Sequence, residues 1–282
     1  MFGIPAGSYI PNSFGIQRAL LYFRLIKRKK LYYIRIYSFG IKIESKYNMK
    51  TYWKIILFLL MTFVIVAGVT FPIVPQPSHW YEFPNIPGLE EKAKIIFFHV
   101  PTAWLSVIAF LMAMIYGIRY LKNKNLDDDA RSNAALQLGM LFTILATVTG
   151  SIWAKFTWGA FWHWDPRETS IFILLLIYGS LLALRSAIEN EEKRARLSAV
   201  YSIIAFLTVP FFIFIMPRIM VGLHPGSAND DTSGPVVDFK MNANMQLVFY
   251  LSLTAFTILY AWMWKLRYKI LIISENNKIE RG

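Results

Sequence analysis

The sequence predicts an all-α protein, a polytopic helical bundle that crosses a membrane with six transmembrane helices. Of its 282 residues, 56% are hydrophobic and only 17% are charged, whereas a soluble domain averages about 25% charged residues. Six apolar segments approach or exceed the roughly 20 residues that a helix needs to span a bilayer. The nine Trp and 15 Tyr residues also suit a membrane protein, because both types collect at membrane interfaces.

The six spans are predicted in one integral domain, residues 49–270, which is followed by a cytoplasmic tail, residues 271–282. No internal repeat is evident, and the absence of cysteine excludes disulfides, thiolate metal sites and a Cys-x-x-Cys redox pair. The predicted spans are Ile55–Val74, Ile95–Leu121, Ala134–Ala154, Ile171–Ile188, Ser198–Met220 and Met245–Trp264.

Residues 1–48 form a basic N-terminal extension without an apolar run of spanning length. They hold nine Lys or Arg residues and one acid, so much of the net charge of +13 lies here. Met49 opens a segment in which Lys50 and Lys54 precede a long apolar run, as a signal-anchor does. We therefore predict Met49 as the true start; the alternative is a real basic tail on the cytoplasmic membrane surface.

The basic residues also predict the orientation of the spans, because cytoplasmic loops carry an excess of Lys and Arg. After Met49, fifteen Lys or Arg residues fall on the side of the N-terminus and six on the opposite, outer side. Both termini are therefore predicted to be cytoplasmic. This distribution indicates membrane topology and argues against nucleic-acid binding. The outer segments are residues 75–94, 155–170 and 221–244, and all four histidines lie in or beside them.

The second outer segment is rich in tryptophan, with four Trp and two Phe between Trp153 and Trp164, followed by Asp165 and Arg167. An aromatic membrane belt would explain the Trp residues. A binding site for a flat apolar ligand with acidic groups, such as heme, would explain them as well. In that case the ring would stack on indole faces and the carboxylates would pair with Arg167. The residues alone leave both interpretations open.

The pattern Trp158-Gly159-x-x-Trp162-x-Trp164-Asp165-x-Arg167-x-Thr169-Ser170 resembles the WWD motif of the heme-handling cytochrome c biogenesis proteins, a superfamily that includes CcmC, CcmF and CcsA. The resemblance extends over residues 49 to about 265 and is greatest to CcmC. It implies that the segment contacts heme b on the outer face. The implied contact residues are Trp158, Trp162, Trp164, Asp165 and Arg167. Pro166 and Glu168 depart from the CcmC pattern and look more like the CcsA and CcmF branches.

Two histidines flank the motif, and imidazole is a common axial ligand of heme iron. His99 precedes Pro101 near the outer end of the second span, and His224 lies in a Gly- and Pro-rich turn after the fifth span. Taken alone, His99 could be a hydrogen-bonding residue of the bundle and His224 an ordinary loop residue. The resemblance implies that both are the axial ligands. His163 is predicted to be a spectator, and His79 an interfacial loop residue.

Heme delivery is the function that the resemblance implies, with no catalytic residues. The protein would present heme on the periplasmic face of a bacterial inner membrane to a CcmE-like chaperone. CcmA/CcmB-like ABC transporter components and a small CcmD-like membrane protein would be further partners. The alternative is the membrane subunit of a CcsA- or CcmF-like cytochrome c synthase, which the Asp-Pro-x-Glu variant supports. A transporter of another small molecule would need polar or broken helices at mid-membrane.

The remaining charged residues are given lesser roles. Asp165 and Glu168 could form an acid–base pair, but no second feature supports one. Lys155 is predicted to anchor a helix end, while Arg218 could anchor its helix or pair with propionates. The acidic patches at Asp127–Asp129 and Glu189–Glu192 are predicted to be solvated cytoplasmic loop charge.

Overall fold

The computed structural model describes residues 22–28, 31–38, 41–47, 49–229 and 241–279. The described residues include six helices that are long and apolar enough to cross a membrane, which confirms the predicted fold class. Lys240, which was counted on the outer side, and residues 280–282 of the predicted tail lie outside the described residues, as do residues 1–21 of the extension.

The helices follow the predicted spans in order, and several are longer. Their bounds are α1 Met49–Thr70, α2 Ile96–Asn123, α3 Leu126–Trp158, α4 Pro166–Ala187, α5 Glu191–Pro210, a short α6 Met216–Ile219 and α7 Ala243–Ile279. A π-helical segment, Phe211–Ile215, joins α5 to α6, so the fifth span is irregular at the end where Pro210 and Pro217 lie. Proline cannot donate the backbone hydrogen bond of a regular helix, which accounts for this irregularity.

Strands appear in two places that the sequence analysis did not predict. The N-terminal extension contains an antiparallel sheet in the order β1 Tyr22–Arg28, β2 Leu31–Ser38 and β3 Ile41–Tyr47. Residues up to Ile56 and residues from Leu57 onward form two separate compact units. In the second unit, two short parallel strands, β4 Ile73–Val74 and β5 Phe83–Pro84, shape the segment after α1. A 3₁₀ helix, Glu90–Ile95, then leads directly into α2.

Helices α2 to α5 share the largest buried core. Its centre is a stacked pair, Phe110 of α2 and Tyr178 of α4, whose ring centroids lie 3.5 Å apart at an interplanar angle of 6°. Gly139 of α3 allows this packing, because a Cβ at that position would lie 2.6 Å from Phe110. The other members of the core are Ala113, Ala135, Leu136, Leu174, Leu181, Ala205 and Val209.

Helix α7 packs against α2 at a proline. Pro101 lies inside α2, so the Phe97 carbonyl one turn earlier lacks the backbone N–H that a helix normally supplies. The hydroxyl of Ser252 in α7, which is fully buried, donates to that carbonyl instead. A side chain on one helix therefore completes the hydrogen bonding of the other.

The prediction of solvated acidic charge is wrong for part of the first patch. Residues 127–129 lie in the first turn of α3, where Asn125 caps the helix by accepting from the Asp127 N–H. Asp128 and Asp129 are buried. The guanidinium of Arg185, at the end of α4, donates to both Asp129 carboxylate oxygens at 2.7 and 2.8 Å. Both groups are buried, and a charge pair of this geometry fixes α3 against α4.

Candidate functional site: a cleft between two histidines

The tryptophan segment is the connection between α3 and α4, and its sequence ends one helix and begins the next. Helix α3 ends at Trp158, and Gly159 follows with a φ of 91°, a left-handed conformation that glycine adopts without strain. The Lys155 ammonium donates to the Gly159 carbonyl at 2.8 Å, close to the end of α3. Helix α4 begins at Pro166, with Asp165 as its N-cap.

Asp165 and Glu168 form a capping box at the start of α4. The Arg167 N–H donates to the Asp165 carboxylate at 2.9 Å, and the Asp165 N–H donates to the Glu168 carboxylate at 3.3 Å. Glu168 also accepts from the His163 N–H at 2.6 Å. Pro166 occupies the first helical position, where a missing N–H costs nothing. The two carboxylates therefore have structural partners that account for their positions.

Asp165 has a second role, because its buried carboxylate holds the loop that follows α6. The imidazole Nδ1 of His224 lies 2.7 Å from one Asp165 oxygen, and the Leu223 N–H donates to the other at 2.6 Å. Gly222 passes so close that a Cβ there would lie 2.7 Å from the same carboxylate. The Arg167 guanidinium donates to the Pro225 carbonyl at 3.4 Å. The start of α4 thus fixes the position of His224.

The Asp165 carboxyl is ionised in this setting. Its burial raises the pKa, but the hydrogen bond from the His224 imidazole, the charge of that ring when it is protonated, and hydrogen bonds from two backbone N–H groups outweigh the burial and lower the pKa to about 2. An ionised carboxylate can only accept, so the Nδ1 of His224 carries the proton that it donates. In the neutral form of the His224 imidazole, Nε2 is then the nitrogen with a free lone pair.

His99 lies in the first turns of α2 and faces α3. Its Nδ1 is 3.0 Å from the hydroxyl of Thr149, and that hydroxyl donates its proton to the Leu145 carbonyl at 2.8 Å. When the hydroxyl donates to this carbonyl, Thr149 accepts from His99, and Nε2 of the neutral ring keeps the free lone pair. Gly150 makes room for the ring, because a Cβ there would lie 2.9 Å from the His99 Cε1.

Two clefts share His99, Arg167 and His224 in their walls. The first, of about 650 Å³, lies among α2, α3, α4 and the end of the fifth span, and Trp162, Ile171 and Phe212 also line it. The second, of about 630 Å³, lies between the start of α2 and the His224 loop, with Trp153 on its wall. The three shared side chains therefore stand between two cavities that are predominantly apolar.

The predicted tryptophans divide into three groups. Trp158 packs edge-on against the His224 imidazole with ring centroids 4.7 Å apart, and Trp153 contacts both rings. Trp162 lines the first cleft. Trp164 lines neither cleft; it is 65% exposed and contacts Trp162 and Phe172 at the edge of the segment. Its φ of 59° is unusual for a residue with a side chain.

Comparison with known proteins identifies the family. The family model described as CcmC, heme exporter protein C, matches residues 42–281. The chain belongs to the CcmC family.

Individual relatives agree with this assignment. The heme exporter protein C of Paracoccus denitrificans is 31% identical over 167 residues, 59% of this chain and 68% of that protein. The Bradyrhizobium diazoefficiens protein of the same name is 38% identical over 121 residues, 43% of this chain and 46% of that protein. The Haemophilus influenzae protein is 26% identical over 230 residues, 79% of this chain and 86% of that protein.

In this CcmC-family chain, the structure brings together four of the seven predicted site residues, namely His99, Trp162, Arg167 and His224, in the first cleft. Trp158 packs against the His224 ring and Asp165 hydrogen-bonds to it, whereas Trp164 lines neither cleft. Sequence reasoning missed three contributors: Thr149, Gly150 and Trp153. The glycine was the one available signal, because an isolated glycine inside an apolar helix often marks close packing.

The two other histidines lie outside both clefts. His79 is in an exposed loop, where its Nδ1 lies 3.0 Å from the Glu82 carboxylate. The His163 ring lies 5.8 Å from the Trp158 ring, between centroids, and its backbone N–H donates to Glu168. Arg218 lies close enough to Arg167 for the two positive charges to interact.

Proposed function

We propose that this protein binds heme b between His99 and His224 and delivers it for cytochrome c-type biogenesis. One observation carries the proposal: two imidazoles line the same clefts, and each has its Nδ1 occupied by a hydrogen bond to Thr149 or Asp165. Metal-bound histidines are typically oriented in this way by a partner on the other ring nitrogen. Each Nε2 is then available for heme iron.

The remaining lining of the clefts suits the chemistry of heme. Trp162, Ile171 and Phe212 offer apolar surface for a macrocycle, and the Arg167 guanidinium offers a partner for propionates. The Trp158 and Trp153 rings restrict the His224 imidazole from one side. Trp164 is exposed and could contact heme only if the ligand extends beyond the clefts, so we assign it to the rim.

The proposed location and partners rest on the family and on the charge distribution. The related proteins are named heme exporters, and several come from bacteria. With both termini in the cytoplasm, the cleft lies at the periplasmic face of the inner membrane. A CcmE-like heme chaperone is the proposed recipient. CcmA/CcmB-like transporter components and a CcmD-like protein are proposed to share the complex.

The residues that favoured the synthase alternative also have a structural role. Asp165-Pro166-x-Glu168 looked like the CcsA and CcmF pattern, but its residues provide the N-cap, the first helical position and the capping-box glutamate of α4. This pattern is typical of the start of a helix, so a helix start is sufficient to explain it. Delivery is therefore the function that the geometry supports best.

The proposal predicts that the purified protein carries heme with the absorption spectrum of bis-histidine ligation. His99→Ala and His224→Ala each remove one axial ligand, so each should lower the heme content and abolish the six-coordinate low-spin spectrum. His79→Ala is the matched control, because His79 also pairs with a carboxylate but lies outside both clefts. Unchanged heme content and spectra in both cleft variants would refute the proposed site.

A further inference from the structure

The two histidines of the cleft are held by chemically different partners. His224 donates to a carboxylate, and His99 donates to a neutral hydroxyl that already uses its proton elsewhere. A carboxylate partner draws the Nδ1 proton more strongly and makes the imidazole a stronger electron donor at Nε2. A threonine oxygen exerts this effect only weakly, because hydrogen bonds to charged groups are about twice as strong as neutral ones.

We propose that His224 is the firm axial ligand of the bound heme and His99 the exchangeable one, with Asp165 and Thr149 as the positioning residues that set this difference. The inference rests on the proposed heme site and adds an order of ligand strength to it. An acceptor that offers its own imidazole would then replace His99 on the iron, while His224 keeps hold of the heme until the acceptor has bound.

The surroundings of His224 support this order, although His224 lies on a loop and His99 on a helix. The loop is tied down by Asp165 through the Leu223 N–H, and by the Asn229 side chain, which accepts from the Gly222 N–H at 3.0 Å. The Ala228 N–H donates to the Met220 carbonyl at 3.1 Å and closes the loop. The position of His224 is thus held by at least three hydrogen bonds besides its own.

His99 has neutral partners. Its largely buried ring lies 3.0 Å from the Thr149 hydroxyl through Nδ1 and also hydrogen-bonds the Ala146 backbone carbonyl. Gly150 packs against the ring, and Ala103 lines the cleft beside it. No carboxylate contacts the His99 ring among the residues that the structure describes. The neutral hydrogen-bond partners of His99, in contrast to the carboxylate partner of His224, favour ligand exchange at the His99 side of the iron.

A spectroscopic comparison of the two single-ligand proteins tests the inference. His99→Ala leaves His224 as the histidine ligand, and His224→Ala leaves His99. In ferrous protein, resonance Raman spectroscopy should give a higher iron–histidine stretching frequency for His99→Ala than for His224→Ala. The His99→Ala protein should also retain more heme during gel filtration in the presence of free imidazole. Equal or reversed values would overturn the inference.

A second pair of variants tests the positioning residues directly. Asp165→Asn should raise the heme midpoint potential and weaken heme binding by roughly 10- to 100-fold, the usual effect of losing such a partner. Thr149→Val should also raise the midpoint potential and weaken heme binding, but by a smaller factor. Thr143→Val and Glu82→Gln are matched controls that should leave them unchanged, since Thr143 is a buried α3 threonine outside the cleft and Glu82 pairs with His79.

The results separate this inference from the proposed function. A wild-type protein that binds no heme would refute both. A wild-type bis-histidine spectrum together with equal responses of the Asp165 and Thr149 variants would refute only the order of ligand strength. If Asp165→Asn does not fold, the two histidine variants still decide, because neither removes a helix cap.

Discussion

Glu168 has a different role in the structure from the one that its position in the sequence suggests. In the sequence it is an acid close to Asp165, and the pair could suggest proton transfer. In the structure one carboxylate oxygen accepts from the backbone of His163 and of Asp165. Asp165 in turn supports His224 and begins α4. Both acids therefore fix the backbone, and Asp165 also fixes His224.

This assignment predicts different outcomes for two substitutions of Glu168. Glu168→Gln keeps an oxygen that can accept from both N–H groups, so heme content and thermal stability should stay close to wild type. Glu168→Ala leaves those N–H groups without their acceptor and should cost about 0.5–2 kcal/mol of stability, the range for a lost helix cap. Heme absorbance and thermal unfolding in detergent measure both effects. Loss of heme in Glu168→Gln with normal stability would instead indicate an acid–base role.

At the scale of elements, proline and its partners shape the helices around the cleft. Pro101 lies two residues after His99, and the carbonyl that it leaves without a backbone partner is satisfied by Ser252 of α7. Pro210 and Pro217 bracket the π-helical segment, part of which lines the first cleft. Irregular helical turns are frequent at functional sites. The helices here deviate from regular geometry close to the proposed ligand.

The Pro101–Ser252 contact can be tested by a double-mutant cycle. Ser252→Ala leaves a buried carbonyl unpaired and should destabilise the protein by about 1–3 kcal/mol. In a Pro101→Ala background, the alanine N–H can donate to the Phe97 carbonyl, so the same Ser252→Ala substitution should cost much less. Thermal unfolding of the four proteins in one detergent gives the coupling. Additive effects would show that the hydroxyl does not replace the missing backbone bond.

Several elements could be predicted from the sequence because their signals are long. Six apolar runs of spanning length predict six helices, and the order and approximate bounds agree with the structure. The ends of helices were less predictable: α3 begins at Leu126 rather than near Ala134, because Asn125 supplies a cap before the apolar run starts. The strands of residues 22–47 were not predicted, although the alternation of Ile41, Lys42, Ile43 and Glu44 in β3 is typical of a strand.

The candidate site was likewise predictable from the sequence only in part. His99, His224 and Arg167 were predicted from the resemblance, and the structure places them in shared walls of two clefts. Asp165 was predicted as a ligand contact, yet its bonds to His224 and Leu223 depend on a loop 58 residues away. Thr149 was missed because a threonine in an apolar helix has no distinctive spacing, and Gly150 because an isolated glycine signals close packing without showing which residue packs there. Only packing shows what lies opposite them.

At the scale of the whole molecule, the charge distribution predicts that the cleft faces the outside. Because the chain has no cysteine, single cysteines can be introduced without first removing native ones. Phe161 lies on the exposed connection between α3 and α4. Asn123 is exposed at the end of α2 that is farther from the cleft. Phe161→Cys and Asn123→Cys therefore place one thiol at each end of the bundle.

These two variants test the orientation in intact cells. A thiol reagent that cannot cross the inner membrane should label Phe161→Cys in cells with a permeable outer membrane. Asn123→Cys should react only after lysis. The native sequence, which should not react at all, is the control. The reverse labelling pattern would invert the topology and place the cleft on the cytoplasmic side.

The packed core between α2 and α5 determines how any ligand can use the cleft. Along each of these helices, the cleft residues lie nearer the tryptophan segment, and the core around Phe110 and Tyr178 lies beyond them. That core packs across the four helices beyond the cleft. We therefore predict that a ligand enters and leaves the cleft at the same end of the bundle, so that loading and unloading compete. Net movement of cargo is set by the relative affinities and concentrations of donor and acceptor, as in an exchange equilibrium, rather than by passage through a channel.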